Sequence, residues 1–355
     1  MKFIKKLCAV LLGLLVGLIV AELAARTLLP YPKRQIALLR MRAPDLQMDA
    51  GTDLKHPGYN PFLQRRPNGE WICDGVHPEK MNNEGFRDKD FIETKPAGKK
   101  RIAMIGDSFT EGWMGPRDAA FPRVVESQLG SSAEVMNFGL ANRSPLRYVA
   151  LYDQIVRKYH PDTVAIFLYQ NDLQEDEALR PYVTFDAYGV PSNFDYERYF
   201  KNTPRMPQTR WERRRDRWQW MACQWSRLYP YAAIFGIDPE FRRRILNAPP
   251  LASQESLWPQ TASYLRTLRD LVQNDHARFI LAYALDLSDF TTSSVLLKKS
   301  SEFASDEKIP FFGAPSMMKE KQPQRFYVPG DGHFSVEGNR KYGTEFVRWL
   351  KKEKF

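Results

Sequence analysis

Ser108 follows the short run Arg101–Asp107, which is apolar in its middle and ends in small and acidic residues; Phe109-Thr110-Glu111-Gly112 then reads as a helix start. A run of this kind is a buried parallel strand, and open α/β sheets bind ligands at the carboxyl ends of their strands. A serine at that turn is placed to be a nucleophile. Acyl-transfer chemistry would further require a base, an acid to orient the base, and donors for an oxyanion. Three further strand-exit positions carry suitable residue types. Glu134–Phe138 ends at Gly139, Thr163–Tyr169 ends at Gln170-Asn171-Asp172, and Pro329–Ser335 puts Asp331 and His333 in a Gly-rich loop before a final helix. In a parallel sheet these exits share one edge, so Ser108, Gly139 and Asn171 should converge there.

Gly106-Asp107-Ser108-Phe109 resembles the first block of the SGNH (GDSL-type) serine hydrolases. Gly139 falls where that family keeps its glycine, Asn171-Asp172 matches its Asn-Asp block, and Asp331 and His333 resemble its final Asp/His block. Each block alone is a common turn sequence; the four in family order, each at a strand end, carry the resemblance. What it implies is a Ser108 nucleophile, His333 as general base and acid, and Asp331 holding the histidine tautomer. The implied oxyanion hole is the backbone N–H of Ser108, the backbone N–H of Gly139 and the side-chain amide of Asn171, with Gly139 keeping the substrate oxygen uncrowded. Asp107 is read as a turn residue. Two departures stand out: Tyr169 occupies the place of a usual glycine, and Asp331 precedes His333 by two residues where three is commoner. The two-residue spacing also appears in membrane-anchored and O-acyl-transferring relatives of the family.

The elements that must position these residues read as a three-layer α/β/α sandwich with a mostly parallel sheet of about five strands, SGNH- or flavodoxin-like. The strand candidates are Arg101–Gly106, Glu134–Phe138, Thr163–Tyr169, Arg278–Leu285 and Ile309–Phe312. Helical spacing falls between them, as in Tyr148, Tyr152, Ile155 and Tyr159, in Leu265, Leu268 and Val272, and in Tyr342, Phe346, Trp349 and Leu350. His160 and His276 precede strands and belong at the opposite edge; His56 and His77 have no assignable place. No histidine pair or cysteine set has metal-ligand spacing, so neither metal nor cofactor is expected.

Outside this domain (100–355), residues 1–30 read as a signal-anchor. Lys2, Lys5 and Lys6 precede the apolar run Leu7–Ala21, the pattern continues weakly to Leu29, and no small-x-small cleavage site closes it. The expected location is a bacterial inner membrane, single pass, with the catalytic domain in the periplasm, or export if the segment is cleaved. Residues 31–99 form a linker and N-terminal lobe. Within it, Met81–Asp88 resembles a block that precedes Gly-Asp-Ser in membrane-anchored members of the family, and Arg87 is expected to be structural. Cys73 and Cys223 could pair in an oxidising compartment.

An insertion at about 173–256 reads as a cap over the active-site edge. Its Arg210–Trp218 stretch interleaves arginine with tryptophan and reads first as a solvated basic helix, with an anionic glycan or lipid headgroup as its alternative ligand. The net charge of +10, together with export, favours envelope surfaces over nucleic acid as partners. The expected function is a serine esterase removing O-acyl groups, acetyl foremost, from an envelope glycan or lipid. An O-acyltransferase using the same acyl-enzyme, or a catalytically silent binding protein on this fold, are the alternatives.

Overall fold

The computed structural model describes residues 2–28, 60–73, 78–202, 253–291, 294–329 and 331–354, with Trp218, Ala222, Ser226, Leu228 and Tyr229. They fall into two units: residues 1–50 with 200–250, and residues 51–199 with 251–355.

In the first unit, helix α1 spans Lys2–Leu28. At 1.5 Å per residue its 27 residues extend about 40 Å. Leu12, Val16, Leu18, Ile19, Val20, Leu23 and Leu28 are exposed on it, whereas the side chains of residues 2–11, 14 and 15 lie outside the described set. Among the described residues no helix is long and apolar enough to cross a membrane. Near its end Glu22 pairs with Arg26 and accepts from the Ser226 hydroxyl at 2.7 Å.

The second unit begins with a lobe carrying the antiparallel pair β1 (Glu70–Ile72) and β2 (Pro78–Lys80). Strand β3 (Lys100–Gly106) follows, then the short helix α2 (Ser108–Glu111), α3 (Phe121–Leu129) and β4 (Ala133–Gly139). Next come α4 (Pro145–Leu151), β5 (Thr163–Leu168), α5 (Asp172–Leu179), the hairpin β6 (Val183–Phe185) and β7 (Pro191–Phe194), and α6 (Tyr196–Asn202). The chain closes through α7 (Gln254–Asn274), β8 (Arg278–Tyr283), α8 (Val295–Asp306), β9 (Phe311–Phe312) and α9 (Val336–Lys352).

The main sheet has the order β4-β3-β5-β8-β9, and every pairing in it is parallel. Ile102, Ala103, Met104 and Ile105 make the middle of β3 apolar, and all six residues of β5 are buried, as a strand covered on both faces demands. The chain steps from β3 to β4 in one direction and then crosses back to β5. Right-handed crossovers therefore put α3 on one face and α4 on the other. Helix α9 packs on α3, and α7 packs on α4 and α5. The reversal of direction lies between β3 and β5, where the exits of the two strands leave a crevice.

The observed strands match the expected ones to within a few residues, with β8 and β9 shorter than expected. The tyrosine-rich stretch departs more: regular helix ends at Leu151 and gives way to a π turn over Tyr152–Val156 and a tight turn over Arg157–Tyr159. Tyr148, Tyr152 and Tyr159 are all buried, and the wider turn lets the Tyr152 hydroxyl reach Asp275 at 2.8 Å. Much of the expected cap, including Arg210–Arg217 and Cys223, lies outside the described residues, as do residues 31–59, His56 and His77. Trp218 is exposed, and Cys73 is a buried thiol.

Candidate active site

Strand β3 ends at Gly106, where glycine is required. A Cβ there would come within 2.1 Å of Thr110 Oγ1 and 3.0 Å of the Phe167 carbonyl oxygen. Asp107 then caps the four-residue helix α2, its Oδ1 accepting from the Phe109 N–H at 2.9 Å. That cap places Ser108 at the first helical position, where no preceding carbonyl is available to its N–H. Burial pushes the Asp107 carboxyl up to about 8, in keeping with its role as a turn residue. Ser108 itself is 8 % exposed.

The histidine arrives from the other end of the chain. Tyr327 and Phe334 form an isolated antiparallel bridge, and the Val328 N–H donates to the His333 carbonyl at 2.8 Å. The loop between them turns at Gly332, whose φ of +95° favours glycine. Its base is tied to the sheet by the Tyr327 hydroxyl, which donates to the Leu285 carbonyl at 2.9 Å. So held, His333 Nε2 lies 2.7 Å from Ser108 Oγ, and His333 Nδ1 contacts Asp331 Oδ1. Asp331 Oδ1 also accepts from the His333 backbone N–H at 3.3 Å. The two-residue spacing is therefore sufficient, because the left-handed glycine folds the carboxylate back onto the imidazole. Ser108 Oγ has a second, longer neighbour in Asp107 Oδ2 at 3.3 Å.

Asn171 ends the turn after β5 and precedes α5. Its Nδ2 donates to Glu175 Oε1 at 2.5 Å, and its Oδ1 is buried with no partner among the described residues. Tyr169, where the resemblance expects a glycine, lays its ring 4.2 Å from that of Phe109 (centroid to centroid) and donates its hydroxyl to Asp286 Oδ2 at 2.7 Å. Phe109 in turn packs on His333 at 5.0 Å and edge-on to Phe334 at 4.8 Å. The substitution thus builds an aromatic wall beneath the imidazole.

Gly139 corrects the expectation placed on it. Its N–H donates to Asn137 Oδ1 at 2.8 Å, and a Cβ would collide with the backbone of the nucleophile helix, 2.3 Å from the Glu111 nitrogen and 2.4 Å from the Thr110 carbonyl carbon. Glycine is needed here so that α2 can lie on the end of β4, not to leave room for substrate. The next two amides are also committed, Leu140 N–H to the Gly106 carbonyl and Ala141 N–H to Glu111 Oε2. Asn142 follows, exposed and left-handed with φ +55°.

The Met81–Asp88 block is structural, and the reason is now visible. Arg87 is fully buried, pairs with Glu79, and donates to the carbonyls of Gly112 at 2.7 Å and Gly115 at 2.6 Å. It thereby satisfies acceptors at the end of the nucleophile helix. Asp88 accepts from the Asn137 N–H at 2.7 Å and pairs with Arg123. Arg65 pairs with Glu111, and this buried ion pair ties the lobe to α2. His160 and His276, at the amino ends of β5 and β8, lie at the opposite edge of the sheet from Ser108.

No family model matches the chain, and no curated protein does. Solved structures do. A lipase/acylhydrolase from Enterococcus faecalis is 13 % identical with a TM-score of 0.41, over 72 % of this chain and 96 % of that one. A member of the lipolytic G-D-S-L family from Veillonella parvula DSM 2008 is 11 % identical with a TM-score of 0.41, over 71 % and 99 %. A two-domain esterase active on acetylated mannans is 12 % identical with a TM-score of 0.40, over 73 % of this chain and 50 % of that one. The chain is thus similar to lipolytic and esterase structures, and its own site brings Ser108, His333 and Asp331 together at the strand exits of a parallel sheet.

Proposed function

We propose that the protein is a serine esterase that removes O-acyl groups, acetyl foremost, from an envelope glycan or lipid. The observation that carries this reading is His333 Nε2 at hydrogen-bond distance from Ser108 Oγ with Asp331 on the far ring nitrogen. A serine hydroxyl is a weak nucleophile until a base takes its proton. His333 accepts that proton as Ser108 Oγ bonds to the ester carbonyl carbon, and Asp331 stabilises the imidazolium. The tetrahedral oxyanion is met by the Ser108 N–H and the Asn171 amide. Collapse expels the alkoxide, which leaves with the proton from His333. Water then enters and gives a proton to His333 as its oxygen bonds to the acyl carbon; the Ser108 Oγ–carbon bond breaks, Oγ takes the proton back from His333, and the acid leaves.

The sequence supports a membrane tether: three lysines lead a run of apolar residues in α1, and exposed leucine, isoleucine and valine side chains continue along it. With the amino terminus in the cytoplasm, the catalytic unit would face the periplasm.

Acetate release from an O-acetylated glycan, followed with and without a second glycan as acceptor, tests the function. Acetate release that disappears in Ser108→Ala supports the esterase. Acyl appearing on the acceptor in preference to water would replace it by the acyltransferase reading. An inactive, well-folded wild type would argue for a binding protein.

A further inference from the structure

We propose that Glu175 is a positioning residue for the oxyanion side of the site, its carboxylate accepting one N–H of the Asn171 amide and leaving the other for the substrate oxygen. The inference rests on the reading of Asn171 as an oxyanion donor.

Asn171 and Glu175 lie one turn apart at the start of α5, the spacing at which helix side chains meet. An amide can be turned two ways, presenting either its oxygen or its nitrogen. An ionised carboxylate only accepts, so beside Glu175 the NH₂ end must face Oε1, where it is found at 2.5 Å. That NH₂ group has a second N–H. The Asn171 oxygen has no partner among the described residues, so the side-chain grip on this amide is the carboxylate alone. The logic parallels that of Asp331 and His333, where an acid fixes which atom of the neighbouring group faces substrate.

Glu175 is itself surrounded by titratable and charged groups. Arg143 and Arg147, at the start of α4, face it with positive charge, while Asp176 and Asp172 of α5, Asp107 at the exit of β3 and Tyr148 of α4 also act on it or feel it. Burial pushes its carboxyl up to about 7, and the two guanidinium groups oppose that rise. The carboxylate is thus in its accepting form on the alkaline side of neutrality, and the charge of the two arginines favours that form.

The test uses the full-length protein, p-nitrophenyl acetate as substrate, and four variants: Glu175→Ala, Glu175→Gln, Asn171→Ala and the double alanine variant. Deleting an oxyanion donor costs roughly 10²–10³ in kcat, and a donor left unaimed should cost less, about 10–100-fold. The expected result is that loss for Glu175→Ala with KM within about two-fold, and a further loss of under about two-fold when it is added to Asn171→Ala. Glu175→Gln should recover part of the rate, because its amide oxygen can accept the same N–H. A Glu175→Ala enzyme with unchanged kcat, or one that loses rate equally with and without Asn171, would overturn the proposal and leave Glu175 a helix-stabilising residue. If Asn171→Ala itself keeps full rate, the oxyanion reading fails and this proposal with it. Should Glu175→Ala not fold, Glu175→Leu, which fills the space but cannot accept a hydrogen bond, carries the comparison, and equal kcat in Glu175→Leu and wild type then overturns it.

Discussion

The Tyr169 hydroxyl donates to Asp286 Oδ2 at 2.7 Å, joining the exits of β5 and β8 beside the nucleophile. Burial first, and then the Asp286 carboxylate, hold the phenol well above its ordinary pKa, so it remains a donor across the working range. A hydrogen bond to a charged group contributes about 1.5–3 kcal/mol, and an aromatic pair about 0.5–1.5 kcal/mol more. Tyr169→Phe should therefore lower stability by about 1.5–3 kcal/mol in urea denaturation and keep the Phe109 contact. Tyr169→Gly should lose both and cost more. Equal stability of Tyr169→Phe and wild type would show that the bond contributes nothing.

The Asp331–His333 contact predicts a tautomer defect. Asp331→Asn keeps the shape of the loop but presents an amide to Nδ1, and should lower kcat by about 10⁴ with little change in fold. Steady-state kinetics and circular dichroism together check it. A loss of under about ten-fold would mean that another group orients the imidazole.

Arg87 predicts a stability effect and no direct role in chemistry. Its removal leaves Glu79 unpaired and strips the carbonyls of Gly112 and Gly115 of their donor. Breaking a buried pair in this way costs about 3–5 kcal/mol. Arg87→Lys should recover little of it, since one ammonium cannot serve the paired carboxylate oxygens and two carbonyls in the same fork geometry. Thermal melts of both variants would settle the point, and melting at the wild-type temperature would contradict it.

Several buried carboxyls predict a fold that prefers mild acid. Burial raises Asp88 and Asp289 to about 6, Asp176 and Glu175 to about 7, and Asp107 to about 8. Between their ordinary and raised values the folded chain holds protons that the unfolded chain has released. Stability from these groups is therefore present at low pH and falls as pH rises from about 5 to 8. The melting temperature should drop across that window, and Asp176→Asn should shallow the drop. A melting temperature that climbs from pH 5 to 8 would contradict the assignment.

The strands, their exits and the meeting of Ser108, His333 and Asp331 were legible because each depends on local pattern: continuous apolar runs for β3 and β5, turn chemistry for Ser108 and His333. What the sequence did not reveal depends on tertiary contact. Gly139 reads the same whether its missing side chain makes room for substrate or for the backbone of α2, and only the packing of Thr110 and Glu111 on β4 decides. Likewise nothing local marks Arg87 as the partner of carbonyls more than twenty residues away. The tyrosine stretch kept its helical period in burial while its backbone widened into a π turn, a change that period alone does not register.

The central claim is that His333 activates Ser108. A fluorophosphonate probe reacts with a serine only when a base has made it nucleophilic. The account predicts that the wild-type protein is labelled and that Ser108→Ala and His333→Ala are not. A well-folded wild type that resists labelling, or a His333→Ala variant labelled as fast as wild type, would contradict it.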